Sequence, residues 1–222
     1  MRQSPGTEKN EKSDLEKYAK RIQPHLLTGD YVSALRIARE ALRLYPDAIE
    51  AQYQYAKILG DDADEAPPTK KKILKREATK ILKSLLRRLR GTPRKVRFGI
   101  CLNYYYQSEK HREMYRFGQR FEAQDRSRAI YAQGLAAGLV AFEEFESGNS
   151  AASKSWARKS VTAWSRYDLK KEKYYFAHYS FAKSLALAGE SAAALSRLKV
   201  AARLGRRPIT DWEFADVLKL LK

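Results

Sequence analysis

An all-α fold is what this chain predicts, and three features predict it. Only 7 prolines and 11 glycines interrupt 222 residues, and β-branched runs are few, which disfavours a sandwich or barrel. Charged residues make up 32% and apolar residues 44%, a mixture suited to amphipathic helices. The third feature is a glycine followed, five positions on, by small or apolar residues at helical spacing. Gly29 precedes Ala34, Ala38 and Ala41; Gly148 precedes Ser153, Ala157 and Ser160; Gly189 precedes Ala194, Leu198 and Ala201. Steps of four and then three place each trio on one helical face. Small side chains on such a face let a second helix approach closely.

Taken in order, residues 1–13 are polar and without periodicity, so a disordered tail is expected. They have no apolar core and are not a secretory signal. Ser13 or Asp14 is expected to cap a first helix carrying Leu15, Tyr18, Ile22 and Leu26, which Gly29 ends. Asp30 caps the second helix and Pro46 stops it. The next helix carries Tyr55, Ala56 and Leu59 and is expected to end at Gly60. Asp61, Asp62, Asp64 and Glu65 before Pro67-Pro68 read as an exposed loop over 61–69. Its partner resumes near Thr69, repeats the four-then-three spacing at Ala78, Leu82 and Leu85, and closes at Gly91-Thr92-Pro93. A third pair follows, with Ile100, Cys101 and Tyr104 facing inward on its first helix. Glu113, Phe117 and Arg120 take the register positions of its second, so this pair reads as degenerate. Val140, Ala141 and Phe145 lead to Gly148-Asn149, and Phe181, Ala182 and Leu185 lead to Gly189-Glu190. A longer connection is expected over Ser165–Lys173. Thr210 and Glu213 have capping-box spacing, ahead of an apolar stripe of Phe214, Val217, Leu218 and Leu221.

The Gly-x-x-x-x-Ala/Ser pattern, the small-residue register and the proline stops between Asp14 and Pro208 resemble the tetratricopeptide repeat family, whose helix–turn–helix units run to about 34 residues. The resemblance implies a right-handed α-α superhelix of about five helix pairs over 14–208, with a C-terminal capping helix over 209–222. It further implies that the first helices line a concave groove for a peptide or partner helix. The groove positions would be Gln23, Tyr53, Lys57, Phe98, Leu102, Tyr105, Phe142, Phe176, Tyr179 and Lys183. Family members that grip a C-terminal carboxylate use Lys and Asn on successive first helices. The matching places here are Ala19 and Gln23, Tyr53 and Lys57, Phe98 and Leu102, so that clamp is missing.

The net charge is +18, and it is concentrated. Between Lys70 and Arg97 thirteen Lys and Arg residues face Glu77 alone, a local +12. Lys72, Arg76, Lys80, Lys83, Arg87, Arg90, Arg94 and Arg97 form the candidate basic patch, on a helix expected to span Lys70–Arg90. Ile73, Leu74, Ala78, Ile81, Leu82, Leu85, Leu86 and Leu89 form the apolar stripe of the same helix. A basic amphipathic helix suits an acidic protein, a phosphate backbone or an anionic lipid surface. The plainer alternative is a solvated face neutralised by Asp61, Asp62, Asp64 and Glu65.

Catalysis, a metal site and a cofactor are not expected. His25, His111 and His178 are scattered, without metal-ligand spacing. Cys101 falls on a face expected to be buried, where a thiol is inert. Asp61–Glu65 lacks the glycine and terminal glutamate of a calcium loop. No apolar run of about 18 residues is present to span a membrane. The sequence therefore predicts a non-enzymatic, cytoplasmic interaction scaffold for a protein or peptide partner, with RNA or DNA as the alternative ligand of the basic helix.

Overall fold

In a computed structural model the chain is all-helical, with no strand among the described residues. The structure describes residues 5–172, 175–206, 208–210 and 214–221, apart from the side chains of 5–10 and 12. Its helices are α1 (Pro5–Thr28), α2 (Tyr31–Leu44), α3 (Ile49–Glu65), α4 (Pro68–Leu86), α5 (Arg94–Gln107), α6 (His111–Phe121), α7 (Arg126–Glu146), α8 (Ser150–Arg166), α9 (Tyr175–Ala188), α10 (Ser191–Gly205) and α11 (Ala215–Leu220). They form two compact units, dividing between Glu109 and Lys110. The array expected as one body over 14–208 is thus two.

In the first unit α1 to α5 pack each on the next. Among the described residues α1 spans Pro5–Thr28, so Ser13 and Asp14 lie inside it rather than at its start. The Glu and Lys residues of this stretch are good helix formers. Asp14 is then a mid-helix residue, and its carboxylate accepts from Tyr45 Oη at 2.8 Å. Asp30 caps α2 as expected, accepting from the Ser33 amide at 3.0 Å. Ala34, Ala38 and Ala41 are buried, with Ile22, Tyr55, Ile58 and Leu59 around them.

α3 runs through Gly60 to Glu65, so the acidic loop expected over 61–69 shrinks to Ala66 and Pro67. Gly60 is a contact residue rather than a stop: a Cβ there would lie 2.2 Å from Gln107 Nε2. The acidic residues stay helical because each finds a partner. Asp61 pairs with Lys57 one turn back at 2.7 Å, and Asp62 with Lys70 at 3.1 Å. Asp64 and Glu65 accept from Tyr106 and Tyr31, each at 2.9 Å. α4 follows with Ala78, Leu82 and Leu85 fully buried.

Three helix ends share one turn. The amides of Gly29, Gly148 and Gly189 donate three residues back, to Leu26, Phe145 and Ala186. Those of Asp30, Asn149 and Glu190 donate five residues back, to His25, Glu144 and Leu185. This is a Schellman closure, which needs a left-handed residue at its centre. The three glycines supply it at φ +72°, +77° and +88°. Glu109 is also left-handed, at φ 55°, five residues before Met114, and its amide donates three residues back to Tyr106. From there Met114, Gly118 and Phe121 are buried at steps of four and three. The row on α6 is therefore intact. Its register lies one residue later than Glu113, Phe117 and Arg120, and Glu113 and Arg120 are exposed.

In the second unit α7 is the central helix, packing on α6, α8 and α9, while α10 and α11 pack on α9. The contacts are close because the residues are small. A Cβ on Gly134 would come within 2.8 Å of the Trp164 ring, and one on Gly118 within 3.0 Å of the Ala129 carbonyl. Ser160 Oγ donates to the Gly134 carbonyl at 2.6 Å and meets Ser184 Oγ at 2.8 Å. Ser153, Ala157 and Ser160 are buried as expected, as are Ala194, Leu198 and Ala201; Phe145 is exposed. Tyr167–Glu172 forms the described part of the longer connection, and Lys173 lies outside the described residues. Glu213, half of the expected capping box, also lies outside them. The terminal helix is the short α11, with Phe214 and Val217 fully buried.

The turn analysis is tested at two positions by thermal denaturation. Gly189→Ala meets no atom within 4 Å, so its cost is conformational, about 1 kcal/mol. In a Lys75→Ala background, which already lacks the ion pair to Glu109, Glu109→Gly removes a strained side chain and raises stability by up to about 1 kcal/mol. A lower melting temperature for Glu109→Gly in that background would show that its left-handed conformation is not a source of strain.

Candidate interaction surfaces

α4 presents the basic row. Lys72, Arg76, Lys80 and Lys83 follow one another at steps of four, four and three, so they share one face, and all are exposed. The helix ends at Leu86, so the expected Lys70–Arg90 helix is shorter. Arg87 is its C-cap and Arg90 lies in the turn beyond; both are exposed. Arg94 and Arg97 belong to α5, with Arg94 exposed and Arg97 half-buried.

Of the four acids expected to neutralise the basic run, one pairs with it: Asp62, with Lys70. Asp61, Asp62, Asp64 and Glu65 are engaged with Lys57, Lys70, Tyr106 and Tyr31. Glu77 accepts from Tyr55 Oη at 3.1 Å, and Glu109 pairs with Lys75 at 2.9 Å. Lys72, Arg76, Lys80, Lys83, Arg87 and Arg90 enter no ion pair among the described residues. Ile73, expected in the apolar stripe, is 63% exposed. It sits 140° from Ala78 on a helical projection of about 100° per residue, beside Arg76 and Lys80.

The groove positions expected on first helices are mostly engaged in packing. On the first unit Gln23 is exposed, but Phe98 is 3% exposed and belongs to the core. Tyr53 lies against Gly99 of α5, where a Cβ would meet its oxygen at 2.4 Å. Its oxygen accepts from Asn103 Nδ2 at 3.1 Å. Burial, aided by the Asp61 charge, pushes its phenol up to about 12. Lys57 is tied to Asp61, and Leu102 and Tyr105 are half-buried.

On the second unit Phe142, Phe176, Tyr179 and Lys183 are half-buried. The rings of Phe176 and Tyr179 lie 6.1 Å apart. Lys183 Nζ stands 3.3 Å from the centre of the Phe142 ring. Tyr179 Oη donates to both carboxylate oxygens of Asp216 at 2.8 Å, and Lys183 pairs with the same carboxylate. Sequence reasoning missed Asp216. Its signal was an acid embedded in the apolar stripe of the terminal helix.

A cleft of about 730 Å³ in the second unit is lined by Trp164, Tyr167, His178, Phe181, Arg197 and Arg203, among others. His178 Nε2 donates to the Glu172 carbonyl at 3.3 Å, and Nδ1 faces Arg197 Nη1 at 3.4 Å. That pair of partners fits the neutral Nε2–H tautomer, with Nδ1 as acceptor. Burial, with Arg197 adding to it, lowers the imidazole's pKa. Cys101 is half-buried, and desolvation raises its thiol pKa, which disfavours the thiolate. Among the described residues no group of three or more His, Cys, Asp or Glu could hold a metal ion. Nor, among them, is any helix long and apolar enough to cross a membrane.

A scan against protein-family models found no match, and a search of curated proteins found none.

The His178 environment sets a pH dependence. A histidine with a depressed folded pKa contributes stability above its unfolded value of 6.5 and loses it as pH falls through that value. Between about pH 7.5 and 5.5 the wild type loses more melting temperature than His178→Gln, in which the titration is absent. Parallel losses in the two proteins would assign the effect elsewhere.

Proposed function

We propose that the protein is a non-enzymatic interaction scaffold built of tetratricopeptide-like helix pairs, and that the basic row of α4 engages an acidic segment of a partner protein. The observation that carries this reading is the set of six exposed, unpaired cations beside acids that are all committed to other partners. Surface ion pairs contribute only about 0–1 kcal/mol each, so fold stability is a weak reason for such a row. The exposed Ile73 favours a protein ligand over a phosphate backbone. An aliphatic side chain between cations gains from being covered by protein and gains nothing against phosphate.

A polyanion reading, with RNA or DNA on the same row, rests on the absence of any acid within it and carries a steep salt dependence. One comparison separates the two. Lys72→Glu, Arg76→Glu and Lys80→Glu together leave the melting temperature unchanged within about 2 °C, since exposed substitutions shift stability little. In a pull-down read by mass spectrometry the triple variant loses proteins with acidic segments that the wild type captures. A labelled 20-base oligonucleotide shows no binding even at low salt. Tight oligonucleotide binding that the triple variant abolishes would replace the protein reading with the nucleic-acid one.

A further inference from the structure

The contact between α11 and α9 has the composition of a ligand in its receptor. α11 is six residues long, well below the length at which an isolated helix holds itself together. What fixes it is a set of side chains reaching outward from its body. Phe214 and Val217 are fully buried, with the Phe214 ring 5.9 Å from that of Tyr179. Leu220 packs on the cluster of Ala141, Ala157 and Leu187, alongside Phe142. Between these apolar anchors sits one carboxylate, Asp216, held by Tyr179 and Lys183. Lys183 is 18% exposed and Asp216 32%, and the ammonium also lies over the Phe142 ring.

We infer that Phe142, Tyr179 and Lys183 form a receptor site for a short acidic amphipathic helix, filled in cis by α11. The partner it takes is a protein helix presenting apolar, any, Asp, apolar, any, any, apolar, the pattern of Phe214-Ala215-Asp216-Val217-Leu218-Lys219-Leu220. Charge complementarity sets the acid: Lys183 and the Tyr179 hydroxyl both offer protons, and a neutral or basic residue there would leave a part-buried ammonium unpaired. Packing sets the apolar positions, spaced three and three from Phe214 so that they share a face. This site is independent of the basic row on α4. It recovers, in the second unit, three of the positions expected to line a groove. A tethered segment competes at an effective concentration in the millimolar range, so an external helix is admitted only as α11 leaves. The affinity of the site for a partner is reduced by the fraction of molecules in which it is closed.

The test uses the full chain and a fluorescein-labelled peptide of residues 209–222, followed by anisotropy. Asp216→Lys sets a second cation against Lys183 and expels α11 while leaving the receptor side chains intact. The labelled peptide binds Asp216→Lys at least about 10-fold tighter than wild type, as removal of a mostly closed state requires. A peptide carrying the same Asp-to-Lys change does not bind. Equal affinity for the wild type and a folded Asp216→Lys, or indifference to the peptide's acid, would overturn the proposal. Should Asp216→Lys fail to fold, hydrogen exchange on the wild type decides. Peptide at about 1 mM, matching the tether, speeds exchange of the amides of residues 214–220 by displacing them. Exchange that stays unchanged would overturn it equally.

Discussion

The structure depends on how closely its helices approach one another at small residues. Ala34, Ala157 and Ala194 are each 0% exposed, and each begins or continues a four-then-three row on the face turned to a neighbour. In the second unit the approach is close enough that backbone meets side chain directly. Gly134 lies under the Trp164 ring, and Gly118 under Gln133 and the Ala129 carbonyl. A Cβ on Gly138 would meet Ser184 Oγ at 2.8 Å. Interiors packed this densely do not admit an extra methylene without shifting, at a cost of about 1–3 kcal/mol. The buried serines fit because their hydroxyls are spent on backbone carbonyls, Ser153 on Ala141 and Ser160 on Gly134.

Polar side chains are organised around the same helix pairs. Tyrosines bridge helices by donating to carboxylates: Tyr18 to Glu40, Tyr45 to Asp14, Tyr31 to Glu65, Tyr55 to Glu77, Tyr106 to Asp64 and Tyr179 to Asp216. Hydrogen bonds to charged acceptors are among the stronger ones. They also commit the acids. Three of them hold a cation as well as a phenol: Asp14 with Lys17, Glu40 with Arg21 and Asp216 with Lys183. On the outer face of α4, Lys72, Arg76, Lys80 and Lys83 are exposed and enter no ion pair among the described residues.

The helical register was legible in the sequence wherever a glycine marked the turn. Gly29, Gly148 and Gly189 each announced the row five residues on. Where Glu109 took the left-handed position, no glycine marked the turn, and the register of α6 was read one residue early. Gly60 misled in the opposite sense. A glycine reads as a stop, but this one makes room for Gln107 inside a continuous helix. The acidic run after it reads as loop because two of its stabilising partners, Tyr31 and Tyr106, are distant in sequence. The same limit applies to the aromatic groove. Tyrosine is amphipathic, and nothing local distinguishes a tyrosine that waits for a ligand from one bonded across a helix pair. Phe98 carried no such ambiguity, but its burial follows from the partners of α5, which periodicity alone does not identify. The basic row was visible in part: Lys72, Arg76, Lys80 and Lys83 share the exposed face of α4, whereas the helix ends before Arg90, and Arg94 and Arg97 belong to α5.

The account stands or falls on the small-residue contacts, and one helix holds both the test and its control. On α8, Ala157 is fully buried and Ala151 is exposed. Chemical denaturation of Ala157→Leu and Ala151→Leu compares the same substitution on the two faces. The account predicts a loss of about 1–3 kcal/mol for Ala157→Leu and a change within about 0.5 kcal/mol for Ala151→Leu. Equal stabilities for the two variants would contradict it.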